Sequence, residues 1–449
     1  MTTLLLYAKA TGSPQDCGNL CEWTLKPLLD KRAGLRTPVL CQIALCDQEV
    51  KKDMGLSGWV GQTPVSEKRP WWRFKANDVR ALSEVSKGDG PNPGEEAELG
   101  KPKALQEFLQ WANSKNNNTL NDQHLIFWGH GGGWRGTVIL AFRTLKTPEW
   151  LEIFINHSAK AIRLPVPLKE SGATGWGNLL ADNTSLQTRE ISSVVEEFFA
   201  KNEFGATLGF VGFHSCLLAT IEVAYDLRKS AKYVLASPDF VYYNEVPYAE
   251  WLIDSATIAA SNAPDYCRPL FRMLNDKKGP ASFFLIDLGE AGAIKDAIDE
   301  FCSEVRLLAP AEAVELRKSI VSTRNGAYTF GGEYSRTVDL GQFFDALAVA
   351  CGQFPRIQRA ALSVARTARA SIVMDCRYLH REIAALTPPI AGVAIFFPVT
   401  KSEASKTIGF DAGWYNPKSE LSASSFIDES CWRSFLDWYW AETSTIKCP

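Results

Sequence analysis

The sequence predicts an α/β fold with a parallel or mostly parallel central sheet. Short apolar runs alternate with amphipathic segments through the first half of the chain, and strands that alternate with helices in this way pair in parallel. Two of the runs, residues 124–128 and 208–213, lead directly into a histidine and a cysteine. In open α/β sheets the functional residues collect just beyond the carboxyl ends of the strands.

Each element follows from its apolar period and its flanking residues. Apolar runs of strand length predict strands at residues 4–8, 38–46, 71–75, 124–128, 208–213, 233–236, 282–286 and 391–397. Helical spacing of apolar residues predicts helices at residues 17–30, 104–112, 190–200, 217–224, 288–306, 310–324 and 354–367. The Gly-, Pro- and Glu-rich stretch 88–102 is a surface loop.

The predicted organisation has two parts and one insertion. Residues 1–250 hold both of the motif-bearing strands and form the core, and residues 251–449 pack on that core or complete it. Residues 137–176 lie between the histidine strand and the helix before the cysteine strand, without clear elements of their own. Loops of this length inside a compact domain are usually functional.

Composition excludes several classes of protein. The net charge of -3 gives no electrostatic reason to expect nucleic acid as a partner. The basic and aromatic residues 68–75 could stack on bases, but a strand with exposed charges and buried aromatic rings explains them as well. No apolar run is long enough for a membrane helix, and the first ten residues lack the features of a signal peptide.

Cysteine usage points to the cytoplasm. The 11 cysteines are an odd number without framework spacing, which favours reduced thiols in a cytosolic protein. No Cys or His spacing matches a zinc site, so we expect neither a metal nor an organic cofactor.

His130 lies in the middle of the first motif, Phe-Trp-Gly-His-Gly-Gly-Gly-Trp at residues 127–134. The glycines on both sides allow the backbone to approach a substrate closely. An exposed histidine in a tight turn is the alternative. A phosphate-binding loop is disfavoured, because the Gly-Lys-Ser/Thr ending of such loops is missing.

Cys216 lies in the second motif, Gly-Phe-His-Ser-Cys-Leu-Leu at residues 212–218. If a helix begins at residue 217, the helix dipole lowers the pKa of the Cys216 thiol. The alternative is a buried structural cysteine, which is common. A cysteine and a histidine at the same edge of a sheet are a thiol nucleophile and its base, and the pair predicts a cysteine peptidase.

Taken together, the two motifs resemble those of the clostripain family of cysteine peptidases. Residues 127–134 are similar to the family pattern Trp-Asp-His-Gly-x-Gly-Trp, and residues 212–225 to its nucleophile segment. The resemblance implies a caspase-like α/β/α sandwich with a mostly parallel central sheet and a C-terminal extension of helices and strands. It also implies a bacterial endopeptidase in which Cys216 attacks the substrate, His130 moves the proton, and the backbone N–H groups of Gly131 and Cys216 form the oxyanion hole.

The specificity pocket departs from the family pattern at one position. The family has Asp two residues before the cysteine and cleaves after Lys or Arg, whereas this chain has His214. We expect Asp182, Asp239 and Glu245 to supply the negative charge that a basic P1 side chain needs. Two alternatives remain open: a non-basic P1 preference set by His214, and a catalytically silent relative that acts as a regulated binding or scaffold module.

The resemblance also implies control by proteolysis. Relatives are often made as zymogens that are cut after the histidine motif, and the insertion 137–176 is a natural place for the cut. The expected partners are protein substrates, together with an activating protease or a regulatory protein. The candidate cleavage sites are the basic residues of this insertion, namely Arg143, Lys146, Lys160, Arg163 and Lys169.

Overall fold

The computed structural model describes most of the chain outside the insertion. It covers residues 2–10, 19–45, 71–79, 99–115, 123–129, 131, 186–202, 207–241, 244–257, 262–277, 282–331, 336–377, 388–405, 415–417, 422–441 and 446. Within these residues, no helix is long and apolar enough to cross a membrane.

An eight-stranded sheet forms the centre of the described part of the chain, in the order β10-β7-β6-β5-β4-β1-β2-β3. The five central strands β2, β1, β4, β5 and β6 are parallel, whereas β3 and β7 run antiparallel to their neighbours. The strands are β1 Thr3–Ala10, β2 Val39–Leu45, β3 Trp71–Lys75, β4 Gln123–Trp128, β5 Leu208–His214, β6 Ala231–Ala236, β7 Ser282–Asp287 and β10 Ile372–Arg377.

A second, smaller sheet has the order β11-β9-β8 and is antiparallel. Its strands are β8 Thr329–Phe330, β9 Thr337–Asp339 and β11 Ala394–Phe396. A single parallel bridge between Thr220 and Ala394 joins it to the loop that follows β5. The small sheet therefore lies beside the segment that carries Cys216.

Helices cover both faces of the central sheet. In chain order they are α1 Lys26–Asp30, α2 Pro102–Lys115, α3 Thr188–Lys201, α4 Ile221–Leu227, α5 Tyr248–Thr257, α6 Ala263–Lys277, α7 Ala291–Arg306, α8 Pro310–Gly326, α9 Leu340–Ala350, α10 Pro355–Ala370, α11 Lys401–Ser405, α12 Ser425–Glu429 and α13 Trp432–Trp440. A π-helical turn, Leu20–Leu25, precedes α1.

The two faces of the sheet bury separate apolar clusters. One cluster joins the sheet to α2, α3, α4, α7, α9, α10 and α13, and Cys216 belongs to it. The other joins the sheet to α1, α5 and α6. Side chains alternate along each strand, so that Leu125 and Phe127 of β4 enter the first cluster and Ile126 and Trp128 enter the second. The predicted mostly parallel α/β/α architecture is confirmed.

The part of the chain after residue 250 contributes to the central sheet as well as to its helices. Strands β7 and β10 extend the sheet beyond β6. The sequence-based prediction included β7 and β11 but missed β8, β9 and β10. Two of these strands are two or three residues long, and β10 mixes polar with apolar residues, so none has a clear apolar period.

Three local predictions are wrong. Helix α4 begins at Ile221 rather than at residue 217. Arg73 of β3 is buried instead of exposed, because its guanidinium donates to Gln42 Oε1 at 2.6 Å. The expectation of reduced thiols fails at Cys431, which is disulfide-bonded, although the cytoplasmic location itself stays a prediction.

Candidate active site

The register of the two central strands aligns the two sequence motifs. Strands β4 and β5 are parallel neighbours, and Trp128 lies opposite His214. In sequence, His130 and Cys216 each come two residues after this last pair. The carboxyl ends of β4 and β5 therefore lead both motifs to the same edge of the sheet.

His130 itself lies outside the described residues, but both of its neighbours are described. Gly129 donates its N–H to the carbonyl oxygen of His214 at 3.3 Å and has a φ of 153°, a conformation that favours glycine. A Cβ atom added to Gly131 would lie 2.0 Å from the carbonyl oxygen of Cys216. The two motifs are thus in main-chain contact, and position 131 has no room for a side chain.

The loop that carries Cys216 is held by the chain after β6. Leu217 donates its N–H to the carbonyl oxygen of Asp239 at 3.0 Å, and Ala219 donates to that of Ser237 at 2.9 Å. Leu217 has a φ of 67°, a left-handed conformation that costs a non-glycine residue free energy. Strained backbone of this kind is common where a loop presents a functional side chain.

The Cys216 thiol is buried and lies against the main chain of Val241. The N–H of Val241 donates to Cys216 Sγ at 3.3 Å, and the thiol donates to the carbonyl oxygen of Val241 at 3.8 Å. The residue is 8% exposed. Burial, together with the negative charges of Asp239 and Glu245, raises the pKa of the Cys216 thiol to about 12.

The prediction of a lowered thiol pKa is therefore wrong for this state of the protein. It required the thiol to lie in the first turn of a helix, but four residues separate Cys216 from the start of α4 and Thr220 caps that helix. The thiol is instead desolvated, which disfavours its anion.

Asp239 and Glu245 both lie close enough to Cys216 to affect its pKa. Both are buried. The carboxylate of Asp239 accepts the N–H of Phe240 at 2.9 Å, the N–H of Gly331 at 3.2 Å and the hydroxyl of Tyr328 at 3.2 Å. The two candidate pocket carboxylates are thus near enough to act on the thiol, and one of them is held by the residues on either side of strand β8.

His214 lies among the aromatic side chains of the other face. Its Nδ1 is 3.0 Å from the hydroxyl of Tyr248, and its ring packs edge-on to that of Trp128 with 6.0 Å between centroids. The side chain is buried. The helix α5 that carries Tyr248 belongs to the second cluster, whereas Cys216 belongs to the first.

Some candidate residues cannot be placed, and others were missed. Asp182 and the whole insertion 137–176, with its five basic residues, lie outside the described part of the chain. Sequence reasoning missed Val241, which contacts the thiol through its main chain, and Tyr328, which contacts Asp239 from 89 residues away. Main-chain contacts and contacts across such separations leave no local signal in the sequence.

More than half of the chain matches the model of a known family. A model of the clostripain family matches residues 167–440. The match includes Cys216, His214, Asp239 and Glu245, and it begins after His130. No curated protein sequence is similar enough to count as a relative.

Solved structures share the fold at low sequence identity. A secreted C11 cysteine protease from Bacteroides thetaiotaomicron with an irreversible peptide inhibitor is 12% identical, with a TM-score of 0.51 over 95% of this chain and 98% of that one. An inactive zymogen C11 protease from Parabacteroides distasonis is 13% identical, with a TM-score of 0.50 over 98% and 96%. A secreted C11 cysteine protease from B. thetaiotaomicron called "iotapain" is 14% identical, with a TM-score of 0.52 over 92% of this chain and 98% of that one.

These likenesses confirm the caspase-like sandwich, and the family model covers more than half of the chain. The chain therefore belongs to the clostripain family and is a cysteine peptidase.

Proposed function

We propose that the protein is an endopeptidase in which Cys216 and His130 form the catalytic dyad. The register of β4 and β5, with Trp128 opposite His214, carries this proposal. It brings the chain at both motifs to one edge of the sheet, and the main-chain contact between Gly131 and Cys216 supports it further.

The reaction proceeds through an acyl-enzyme. His130 takes the proton of the Cys216 thiol. The resulting thiolate attacks the scissile carbonyl carbon, and the electron pair of the C=O bond moves to oxygen to form a tetrahedral oxyanion. When this intermediate collapses, the C–N bond breaks and His130 gives a proton to the leaving amine. Water then hydrolyses the thioester and releases the acid product and the thiol.

The oxyanion needs preorganised donors beside the thiol. The backbone N–H groups of Cys216 and Gly131 fill this role in our proposal, since the two residues contact each other through the main chain. Glycine at position 131 is what allows this approach, because any Cβ there would occupy the space of the Cys216 carbonyl group.

We propose a preference for Lys or Arg at P1. The buried carboxylates of Asp239 and Glu245 near the thiol support it, because a buried cation is stabilised by a nearby anion. His214 is directed to Tyr248 and the aromatic side chains of the other face, which favours a packing role over recognition of an acidic P1 side chain.

A peptide library that varies only P1 tests the preference. Arg and Lys should exceed Asp by at least tenfold in kcat/KM, since a charge that a buried site cannot pair costs several kcal/mol. The inactive variant Cys216→Ala is the control for contaminating proteases. If P1 Asp outcompetes P1 Arg, the preference is set by His214 instead.

Activation by cleavage within 137–176 is the third part of the proposal. A buried thiol with a raised pKa suits an enzyme at rest, and the same observation is what favours the alternative of a silent relative. The purified protein should be incubated and followed by denaturing gel, activity assay and mapping of new amino termini. New termini after Arg143, Lys146, Lys160, Arg163 or Lys169 should accompany the rise in activity.

Replacing those five basic residues with Ala provides the matched control, which should stay intact and inactive. Full activity of a chain that remains uncut throughout 137–176 would remove the zymogen proposal. Cleavage without any activity on the library would favour the silent binding module.

A further inference from the structure

The chain just after β6 covers the candidate nucleophile. We call residues 239–241 the strap. Its last residue, Val241, contacts Cys216 Sγ through both its N–H at 3.3 Å and its carbonyl oxygen at 3.8 Å, and it leaves Cys216 8% exposed. A substrate carbonyl must reach the same sulfur atom, so the strap and the substrate compete for one space.

The strap is held from the small sheet through its first residue. The hydroxyl of Tyr328 donates to Asp239 Oδ2 at 3.2 Å, and the N–H of Gly331 donates to Asp239 Oδ1 at 3.2 Å. Tyr328 and Gly331 flank strand β8 on either side. The position of the strap over the thiol is therefore set by an element outside the central sheet.

The strap in turn holds the nucleophile loop in a strained conformation. The carbonyl oxygen of Asp239 accepts the N–H of Leu217 at 3.0 Å, and Leu217 is the residue with a φ of 67°. A leucine in this conformation persists only where surrounding contacts over-determine it. Loss of the contacts at Asp239 would let this loop relax together with the strap.

We propose that the strap closes Cys216 in the resting enzyme and that Tyr328 is the positioning residue that keeps it closed through Asp239. The inference rests on the proposed role of Cys216 as nucleophile and identifies how that site is kept off. Asp239 and Glu245 are the titratable groups among the described residues that act on the thiol, and both raise its pKa.

The test is the rate at which iodoacetamide alkylates Cys216 as a function of pH, read by peptide mass spectrometry on the full chain. Tyr328→Phe removes one hydroxyl and keeps the ring that packs on Phe330. It should speed alkylation of Cys216 at neutral pH about three- to tenfold, the population shift that one hydrogen bond supports. The midpoint of the pH profile should fall at the same time.

Tyr225→Phe is the matched control, because it also removes a hydroxyl that donates to a carboxylate, that of Glu429 at 2.6 Å. It should leave the profile of Cys216 unchanged. Cys302 in the core of α7 should stay unlabelled in every variant, which shows that the variant is folded. Hydrogen exchange of the Val241 amide should lose protection in Tyr328→Phe alone.

An alkylation rate of Cys216 in Tyr328→Phe within twofold of wild type overturns the proposal. A slower alkylation rate, with a higher midpoint of the pH profile, also overturns it and would mean that the Val241 N–H activates the thiol. If Tyr328→Phe fails to fold, Asp239→Asn takes its place and must lower the hydrogen-exchange protection of the Val241 amide, because loss of the Asp239 charge alone also speeds alkylation. Unchanged protection in Asp239→Asn would overturn the proposal. Failure of the proposed function is seen separately, as peptidase activity that survives in Cys216→Ala.

Discussion

Two buried polar centres, one around the loop before helix α4 and one within that helix, behave differently. The first, here the catalytic corner, consists of Cys216, Asp239 and Val241. The second, here the helix anchor, consists of Glu222 and Asp226 within α4. All four titratable groups are buried, and burial raises the pKa of Cys216, Glu222 and Asp226.

The helix anchor joins distant segments through side-chain acceptors. Asp226 accepts from the hydroxyls of Thr188 at 2.6 Å and Ser424 at 3.0 Å and from the N–H of Ser425 at 2.7 Å. Glu222 accepts from the N–H of Phe396 at 3.0 Å. These contacts tie α3, α4, the small sheet and the C-terminal segment together.

The catalytic corner combines main-chain contacts around a strained residue with the hydrogen bonds that the carboxylate of Asp239 accepts. The thiol has a hydrogen bond to a main-chain N–H, and the loop after it includes the left-handed Leu217. Burial of a titratable group thus has two uses in this molecule. At the anchor it stabilises the platform on which the nucleophile loop rests, and at the corner it keeps the nucleophile covered.

The largest expected effect is a loss of activity at the catalytic corner. Cys216→Ala and His130→Ala should each lower kcat/KM by at least about 10⁴-fold, because the thiol and imidazole act as one unit, and the double variant should be no worse than either single one. Thermal stability should change little. Cys351→Ala, which removes another buried free thiol, is the control and should keep its activity. Sizeable turnover by Cys216→Ala would contradict the dyad.

The opposite pattern is expected at the anchor. Asp226→Ala should lower the free energy of unfolding by about 3 kcal/mol, since three buried donors lose their acceptor, while the folded fraction keeps its kcat/KM within about threefold. Urea denaturation at neutral pH measures the loss. Glu197→Ala removes an exposed ion pair with Lys201 on α3 and should cost under about 0.5 kcal/mol. Equal losses in the two variants would break the distinction between anchor and surface.

Gly131→Ala tests the contact between the two motifs. Its Cβ would meet the main chain of Cys216 at 2.0 Å, so the two loops must separate and kcat/KM should fall by about 100-fold, the size of effect seen when an oxyanion donor is lost. Gly292→Ala, where an added Cβ meets nothing within 4 Å, should leave activity unchanged. Comparable activity of the two variants would show that the contact at residue 131 is dispensable.

The anchor should also show a pH dependence of its own. Burial raises the pKa of Asp226 to about 7, above the value of about 3.9 in an unfolded chain. The folded state therefore binds the proton of the Asp226 carboxyl group more tightly than the unfolded state does. The stability that this proton contributes is fully present below about pH 4 and is lost as the pH rises through 7. The stability difference between wild type and Asp226→Asn should therefore be about 3 kcal/mol more in favour of wild type at pH 5 than at pH 8. A difference that does not change with pH would mean that Asp226 is ionised in the folded state.

The sequence predicted what depends on local patterns. The apolar runs at β4 and β5 and the two motifs after them were enough to identify the parallel sheet, the family and the edge at which both motifs end. The contact of Val241 with the thiol could not be predicted, because main-chain hydrogen bonds depend on no particular side chain. The contact of Asp239 with Tyr328 could not be predicted either, because the two residues are 89 positions apart in the sequence. The raised pKa of Cys216 was missed for a related reason, since it follows from how deeply the loop is buried rather than from its distance along the chain to α4.

The most direct test of the central claim is labelling by a peptide that carries Lys at P1 and an electrophilic ketone at the scissile position. The full chain should be incubated until any processing is complete, treated with the probe and digested for mass spectrometry. We expect one dominant labelled cysteine, Cys216, in wild type and no label on Cys216 in His130→Ala. Label spread evenly over several cysteines, or equal labelling of Cys216 in wild type and His130→Ala, would contradict a Cys216–His130 dyad.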